Sequence, residues 1–181
     1  EKAARTFATA LHLMEQYPDY VFTQSQTQLY KFIKEDHPAL YERIKRKVAD
    51  GQWAATGAMW VEADCNISSG ESLVRQILFG KRFFQREMGV NARLLWLPDV
   101  FGYSAALPQL LKRSGVDYFM TTKISWNQFN RVPVDTFYWQ GIDGTEVLTH
   151  FVTTPSDHSW WATYNGLVSA RDIKATWDLY Q

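Results

Sequence analysis

Apolar residues recur at helical spacing from the first residues of the chain. Residues Ala3–Tyr17 place Phe7, Leu11 and Met14 on one face, and Pro18 follows where this helix ends. The same spacing predicts further helices over Thr27–Lys34, from Pro38 to Gly51, over Glu71–Met88, over Ala105–Arg113 and after Ser169. The chain is therefore predicted to carry amphipathic helices along its whole length.

The predicted helix Glu71–Met88 carries its own start and stop signals. Ser68 and Glu71 have the spacing of a capping box, and Gly89 ends the helix. Its buried face is predicted to hold Val74, Ile77, Leu78, Phe84 and Met88. A second N-cap is predicted at the start of the last helix, where Ser169 precedes Asp172 by three residues.

Short β-rich apolar runs lie between the helical segments. They predict strands at Tyr20–Thr23, Trp53–Thr56, Arg93–Leu97, Tyr118–Thr122, Phe137–Gln140 and Val147–Val152. Asp143-Gly144 predicts a hairpin between the last two strands. Because strands alternate with helices, the pattern predicts an α/β fold built from βαβ units around a mostly parallel sheet. No repeat or low-complexity linker interrupts the chain, which predicts one domain over residues 1–181.

The turn after the predicted strand Arg93–Leu97 holds an acidic residue among apolar and aromatic neighbours. Pro98 and Gly102 require an irregular turn, and Ser104 is a good N-cap for the next helix. Asp99 lies in this turn, past the C-terminal end of a strand, where α/β folds place their chemistry. The alternative is that Asp99 caps a backbone amide of the turn, and this stretch alone leaves both interpretations open.

Composition and charge indicate which classes of binding partner this protein is not expected to have. The chain has equal numbers of basic and acidic residues, 19 of each, and no basic stripe, so nucleic acid and an anionic membrane surface are not expected partners. No apolar run approaches the length of a membrane span. A single cysteine, Cys65, excludes an internal disulfide. Aromatic residues are abundant, with 8 Trp, 9 Tyr and 11 Phe, which we assign mainly to the core.

Three blocks of sequence resemble glycoside hydrolase family 38 α-mannosidases of the cytosolic and bacterial branch. They are MWVEADCNISSGESLVRQ, WLPDVFGYSAALPQLLKRSG and FMTTKISWNQFNRVP, in the order in which the family has them. The resemblance implies an incomplete β/α-barrel-like catalytic domain. It also implies a zinc-dependent retaining α-mannosidase that acts on mannose-containing oligosaccharides, and a cytoplasmic location.

The resemblance implies specific roles for four residues. Asp99 matches the family nucleophile, which is also a ligand of Zn²⁺. Phe101 matches a ring that lines the sugar site, Lys123 a cationic position near the nucleophile, and Tyr164 a residue that contacts sugar. Secreted members of the family tend to carry Arg where this chain has Lys123. The other zinc ligands and the acid/base carboxyl are expected outside this chain.

Other candidates remain open in the sequence. The loop with Trp60, Glu62 and Asp64 also matches the family, without indicating which of the three touches substrate. The four histidines show no metal-ligand spacing, and Asp157-His158 is only a weak candidate. Trp160 and Trp161 fit a sugar platform and a loop anchor equally well.

The chain starts and stops within helical patterns and lacks an initial methionine, so we expect it to be a piece of a longer protein. Residues 1–181 alone are then expected to be inactive, and a homo-oligomer could form through parts not present. Two alternatives to the mannosidase stay open: a metal-dependent carbohydrate deacetylase, and a non-catalytic carbohydrate-binding domain. An H-x-D motif encoded upstream of Glu1 would favour the mannosidase.

Overall fold

The computed structural model describes residues 1–126, 129–130, 132–152 and 169–180. The helices are α1 (Lys2–Gln16), α2 (Thr27–Asp36), α3 (Pro38–Ala49), α4 (Gly70–Met88), α5 (Leu107–Arg113) and α6 (Ala170–Tyr180), with a short 3₁₀ helix at Lys123–Trp126. The strands are β1 (Phe22–Gln24), β2 (Trp53–Ala55), β3 (Leu94–Trp96), β4 (Tyr118–Thr121), β5 (Thr136–Gln140) and β6 (Glu146–Phe151). Helices and strands alternate as predicted, although β1 begins two residues later than expected.

The strands pair mainly in parallel. β1 pairs with β2, and β3, β4 and β6 follow one another in parallel order. An isolated parallel bridge between Gly57 and Leu95 joins the chain just after β2 to β3. β5 is the antiparallel partner of β6, and Asp143 accepts a hydrogen bond from the Thr145 amide in the turn between them. The predicted α/β class, the mostly parallel sheet and the hairpin are confirmed.

The helices and the first two strands share an aromatic core. Trp53 on β2 packs edge-to-face against Phe7 of α1, with ring centroids 5.1 Å apart. Its indole Nε1 donates to the hydroxyl of Tyr30 at 2.7 Å, and that hydroxyl donates to the Gln24 carbonyl at 3.1 Å. This satisfies the buried polar atoms of both rings, because each finds a hydrogen-bond partner inside the protein. The same bonds fix the C-terminal end of β1.

Helix α4 forms where the pattern predicts it, but its buried face differs. Val74 and Leu78, predicted to be buried, are 36% and 40% exposed. They line a cavity of about 410 Å³ together with Lys81 and Arg113. The buried side chains of α4 are Leu73, Ile77, Phe83 and Phe84, with Gly80 between them. The apolar residues of α4 surround more than one face, so periodicity alone could not fix its rotation.

The start signals of two helices also differ from the prediction. The N-cap of α4 is Ser69 and not Ser68, and its hydroxyl accepts a hydrogen bond from the Ser72 amide. Helix α5 begins at Leu107, because Ser104 accepts from the amide of Ala106 within a preceding turn. The cap at Ser169 is confirmed, since its hydroxyl accepts from the Asp172 amide.

A close approach of two backbones determines where α4 lies. A Cβ atom at Gly80 would lie only 2.2 Å from the carbonyl oxygen of Ala58 and 2.6 Å from the carbonyl carbon of Met59. Glycine therefore lets α4 pack directly on the loop that follows β2. Within the described residues, no helix has the length and apolar character needed to span a membrane.

We predict that Gly80→Ala destabilises the protein. The added methyl overlaps the backbone of residues 58 and 59, and overpacking of this kind costs about 3 kcal/mol in the free energy of unfolding. Gly70→Ala is the matched control, because nothing lies within 4 Å of its Cβ position. Urea unfolding should show a change of less than about 1 kcal/mol for Gly70→Ala. Equal midpoints for the two variants would contradict the close-packing argument.

Candidate active site

The C-terminal ends of neighbouring parallel strands bring several polar side chains to one edge of the sheet. Ser25 and Gln26 follow β1, Glu62 follows β2, Asp99 follows β3 and Lys123 follows β4. Parallel strands all end at the same edge, so residues far apart in sequence meet there. This edge is the candidate active site.

Asp99 and Lys123, both predicted from the sequence, are in direct contact. Their carboxylate and ammonium groups form an ion pair between Asp99 Oδ1 and Lys123 Nζ. The Lys123 side chain is only 9% exposed, whereas Asp99 is 47% exposed. The lysine thus approaches from within the protein, while the carboxylate remains accessible to a molecule in solution.

Phe101 completes this group. The Lys123 ammonium lies 4.6 Å from the centroid of the Phe101 ring, a distance typical of a cation–π contact. The ring itself is 78% exposed. A large apolar ring held at a charged edge, yet open to solvent, offers a flat surface that a ligand can cover. The structure therefore brings Asp99, Phe101 and Lys123 together; Tyr164 lies outside the described residues.

Buried threonines fasten the Asp99 turn to the end of β4. The hydroxyl of Thr122 donates to the Pro98 carbonyl at 2.6 Å. The hydroxyl of Thr121 accepts a hydrogen bond from the Lys123 amide at 3.2 Å. Both threonines are buried, so these bonds are shielded from competition with water. The two residues of the ion pair are consequently held by one connected set of hydrogen bonds.

Tyr103 supplies a second connection between the same strands. Its hydroxyl donates to the Leu97 carbonyl at 2.9 Å and lies 2.6 Å from the Thr121 hydroxyl. Burial is the main cause that raises the pKa of Tyr103, so the hydroxyl keeps its proton and acts as a donor. Gly102 lies beside it with φ 149°, and a Cβ there would lie 2.2 Å from the side chain of Asn66.

The three candidate residues in the loop after β2 have different surroundings. Asp64 accepts hydrogen bonds from the amides of Asn66 and Ile67, which lower its pKa and give it a structural role in the loop. Trp60 donates through Nε1 to Gln28. Glu62 is different, because burial raises its pKa, hydrogen bonds from Ser25 and Gln26 lower it, and the negative charge of Asp99 raises it. The charge of Asp99 therefore influences the protonation of Glu62.

Neither cysteine nor histidine chemistry is indicated among the described residues. Burial raises the pKa of Cys65 to about 12, so its thiol is not a nucleophile at neutral pH. His150 hydrogen-bonds the Thr136 hydroxyl at 2.9 Å, as a satisfied strand histidine does. The described residues contain no group of three or more potential metal ligands. His158, Trp160 and Trp161 lie outside the described residues.

Sequence reasoning missed the residues that support the site. Ser25 and Gln26 contact Glu62, while Tyr103, Thr121 and Thr122 hold the Asp99 turn. Their only sequence signal is a polar side chain at or just beyond the end of an apolar strand. That signal becomes informative only when the strands on either side are known to be neighbours.

Comparison with known proteins identifies relatives of the whole chain. The family model described as "Glycosyl hydrolases family 38 N-terminal domain" matches residues 1–181. Alpha-mannosidase G of Dictyostelium discoideum is 50% identical over 173 residues, covering 96% of this chain and 15% of that protein. Human alpha-mannosidase 2C1 is 47% identical over 150 residues, covering 83% of this chain and 14% of that protein. The chain thus spans about one seventh of these relatives.

A solved structure shows the same fold. The crystal structure of an alpha-mannosidase from Enterococcus faecalis V583 superposes with a TM-score of 0.72 at 22% sequence identity. The match covers 82% of this chain and 17% of the solved chain. At this identity the likeness concerns the fold alone, and it agrees with the predicted barrel-like arrangement.

We predict that Tyr103→Phe loosens the Asp99 turn. Removing the hydroxyl leaves the Leu97 carbonyl and the Thr121 hydroxyl without this partner, which should lower the free energy of unfolding by about 1–3 kcal/mol. Tyr138→Phe is the control, because that side chain is exposed. Thermal unfolding should show a clear decrease for Tyr103→Phe and almost none for Tyr138→Phe. Equal stability of both variants would mean that the hydroxyl bridge does not hold the turn.

Proposed function

The chain belongs to glycosyl hydrolase family 38, and on that premise we propose that the full-length protein is a retaining α-mannosidase with Asp99 as nucleophile. The substrate is a mannose-containing oligosaccharide with a terminal α-linked mannose. The names of the curated relatives support this assignment of substrate. The assignment of Asp99 is supported by the geometry of this chain.

The ion pair between Asp99 and Lys123 is the observation that carries the proposal. A nucleophilic carboxylate has to be oriented and also accessible to the reacting carbon. Lys123 approaches Asp99 from the protein interior, and Asp99 remains half exposed.

The chemistry follows from a carboxylate in this position. An oxygen of Asp99 forms a bond to the anomeric carbon of mannose while the glycosidic bond breaks. A second carboxyl group protonates the departing oxygen, and in retaining enzymes the two groups lie about 5–5.5 Å apart. Water then hydrolyses the glycosyl–Asp99 ester with the second group acting as base. We expect this second group outside this chain.

Two further side chains have assigned tasks in the proposal. Lys123 keeps Asp99 in one orientation throughout the reaction. Phe101 offers its exposed ring as a contact surface for the sugar. The assignment of Tyr164 to sugar binding stays a prediction, because this residue lies outside the described part of the chain.

Zinc is part of the proposal through Asp99. A carboxylate oxygen suits Zn²⁺, but a tight site needs three or four protein ligands. The described residues contain no such group, so the remaining ligands have to come from elsewhere in the protein. When bound, the ion would hold sugar hydroxyls near the reacting carbon.

The two alternative functions are not favoured by any contact in the structure. A deacetylase would use Asp99 only as a metal ligand, and a binding domain would not require an oriented carboxylate. The cytoplasmic location, the single domain and a homo-oligomer stay predictions.

We predict that substitution of Asp99 abolishes turnover in the full-length protein. Both Asp99→Ala and Asp99→Asn should lower kcat for an aryl α-mannoside by several orders of magnitude, because an amide is a poor nucleophile. A slow substrate with a good leaving group should also leave the sugar on the peptide that contains Asp99, detected by mass spectrometry.

The Asn variant separates chemistry from structure. If Asp99 only capped the turn, Asn would accept the same hydrogen bond and keep most of the activity. In that case Asp99→Ala would lose about 1 kcal/mol of stability instead. A sugar label on any other carboxylate would overturn the assignment.

A separate prediction concerns the metal. The active full-length protein should contain one tightly bound zinc per chain, lose activity with a chelator and regain it with Zn²⁺. Asp99→Ala should weaken zinc binding by at least about tenfold, because one ligand is lost. Residues 1–181 alone should hold no stoichiometric zinc. Metal analysis of the purified protein measures the zinc content. Full activity in a zinc-free preparation would exclude a requirement for zinc.

A further inference from the structure

Glu62 is an acidic residue at the active-site edge whose carboxylate makes only long contacts within the described part of the chain. Its Oε1 atom lies 3.4 Å from the Ser25 hydroxyl and 3.5 Å from the Gln26 side-chain nitrogen. Both distances are at the long limit for hydrogen bonds, so the two contacts are weak. Among the described residues, no backbone amide donates to Glu62, in contrast with Asp64 two residues later.

The loop that carries Glu62 is fixed without the help of this side chain. The hydroxyl of Thr27 donates to the Met59 carbonyl, and the amide of Gln28 donates to the Trp60 carbonyl. On the other side, the amides of Trp60 and Val61 donate to the backbone carbonyl and the side-chain oxygen of Gln76. Helices α2 and α4 thus hold the loop from both sides through backbone groups. The position of Glu62 is therefore rigid and independent of its carboxylate.

Holding a carboxylate at this point is electrostatically unfavourable. Glu62 is partly buried and faces the negative charge of Asp99, and both effects raise its pKa. The hydrogen bonds from Ser25 and Gln26 act in the opposite direction and lower the pKa. A carboxylate that is held only by weak contacts and placed near a like charge is characteristic of a functional site.

The position of Glu62 relative to Asp99 and Lys123 indicates what it could contact. Glu62 follows β2, Asp99 follows β3 and Lys123 follows β4. An isolated parallel bridge between Cys65 and Tyr103 joins the loop that carries Glu62 to the turn that carries Asp99. The Glu62 carboxylate, which contacts Ser25 and Gln26 after β1, and Lys123, which follows β4, therefore lie at the same edge of the sheet as Asp99.

We propose that Glu62 is a substrate-binding residue that accepts a hydrogen bond from a hydroxyl of the mannose that Asp99 attacks. This rests on the proposed mannosidase function. Ser25 and Gln26 hold Oε1, and the described residues make no hydrogen bond to Oε2. The sugar hydroxyl donates to that oxygen and supplies the strong partner that the carboxylate lacks. Glu62 thereby contributes to the selection of one hydroxyl configuration.

The test uses the full-length protein and a set of aryl α-mannosides, each lacking one hydroxyl. With the complete sugar, Glu62→Ala should lower kcat/KM by about 10- to 100-fold, the range expected for a lost hydrogen bond to a charged group. Glu62→Gln should lose less, because its amide oxygen still accepts a hydrogen bond. Asp64→Asn is the matched control, since it removes an acidic charge from the same loop and keeps the oxygen that accepts from the loop amides. Its kcat/KM should stay within about threefold of wild type.

The deoxy substrates identify the contact. Wild type should lose activity on one particular deoxy sugar, and Glu62→Ala should show no further loss on that same sugar, because the contact is already absent. Losses that add for every hydroxyl would overturn the role of Glu62, as would wild-type kinetics for both Glu62 variants. If wild type hydrolyses no aryl α-mannoside, the proposed function itself fails, which is a separate result.

Discussion

Parallel pairing of the strands is the constraint on which the site depends. Each strand from β1 to β4 ends at the same edge of the sheet, and the segment after each strand contributes a polar side chain. Side chains from different strands are far apart in sequence, since Gln26 and Lys123 are separated by almost a hundred positions. An antiparallel sheet would send alternate strand ends to opposite edges and separate the group. The parallel strand order therefore brings together the residues on which the chemistry proposed for Asp99 depends.

The geometry of the edge is then fixed by hydrogen bonds that do not involve the reacting groups. Tyr30 holds the end of β1, Thr122 holds the Asp99 turn, and Tyr103 joins β3 to β4. Each bond is between a side chain and a backbone carbonyl or a buried hydroxyl, and its partners are satisfied within the protein. The ion pair is thus placed by neutral bonds that persist when charges on the site change. The bonds of Thr122 and Tyr103 hold the turn that carries Asp99 through other residues than Asp99 itself.

The sequence predicted the fold class and most elements because periodicity and turn signals are local. It also placed Asp99 at a strand end, and the family resemblance added Phe101 and Lys123. It could not determine the rotation of α4, since Val74 and Leu78 lie at helical spacing with the truly buried residues. It could not assign Glu62, because the evidence for that residue is its long contacts with Ser25 and Gln26 and the influence of the Asp99 charge on its pKa. Both depend on which segments become neighbours, and that is a property of the folded chain.

The aromatic residues show how the same residue type serves the core and the site. Phe7, Tyr30 and Trp53 are buried and contact one another, so their location follows from the hydrophobic effect. Phe101 does not follow this rule, because most of its ring faces solvent although it lies beside a buried core residue, Val100. Its contact with the Lys123 ammonium gives the ring a fixed place without burying it. Phe101, Lys123 and Glu62 each depart from what local packing alone would select, and all three lie at the edge that carries Asp99. Because these three residues occur together with Asp99, we infer that this edge binds a ligand.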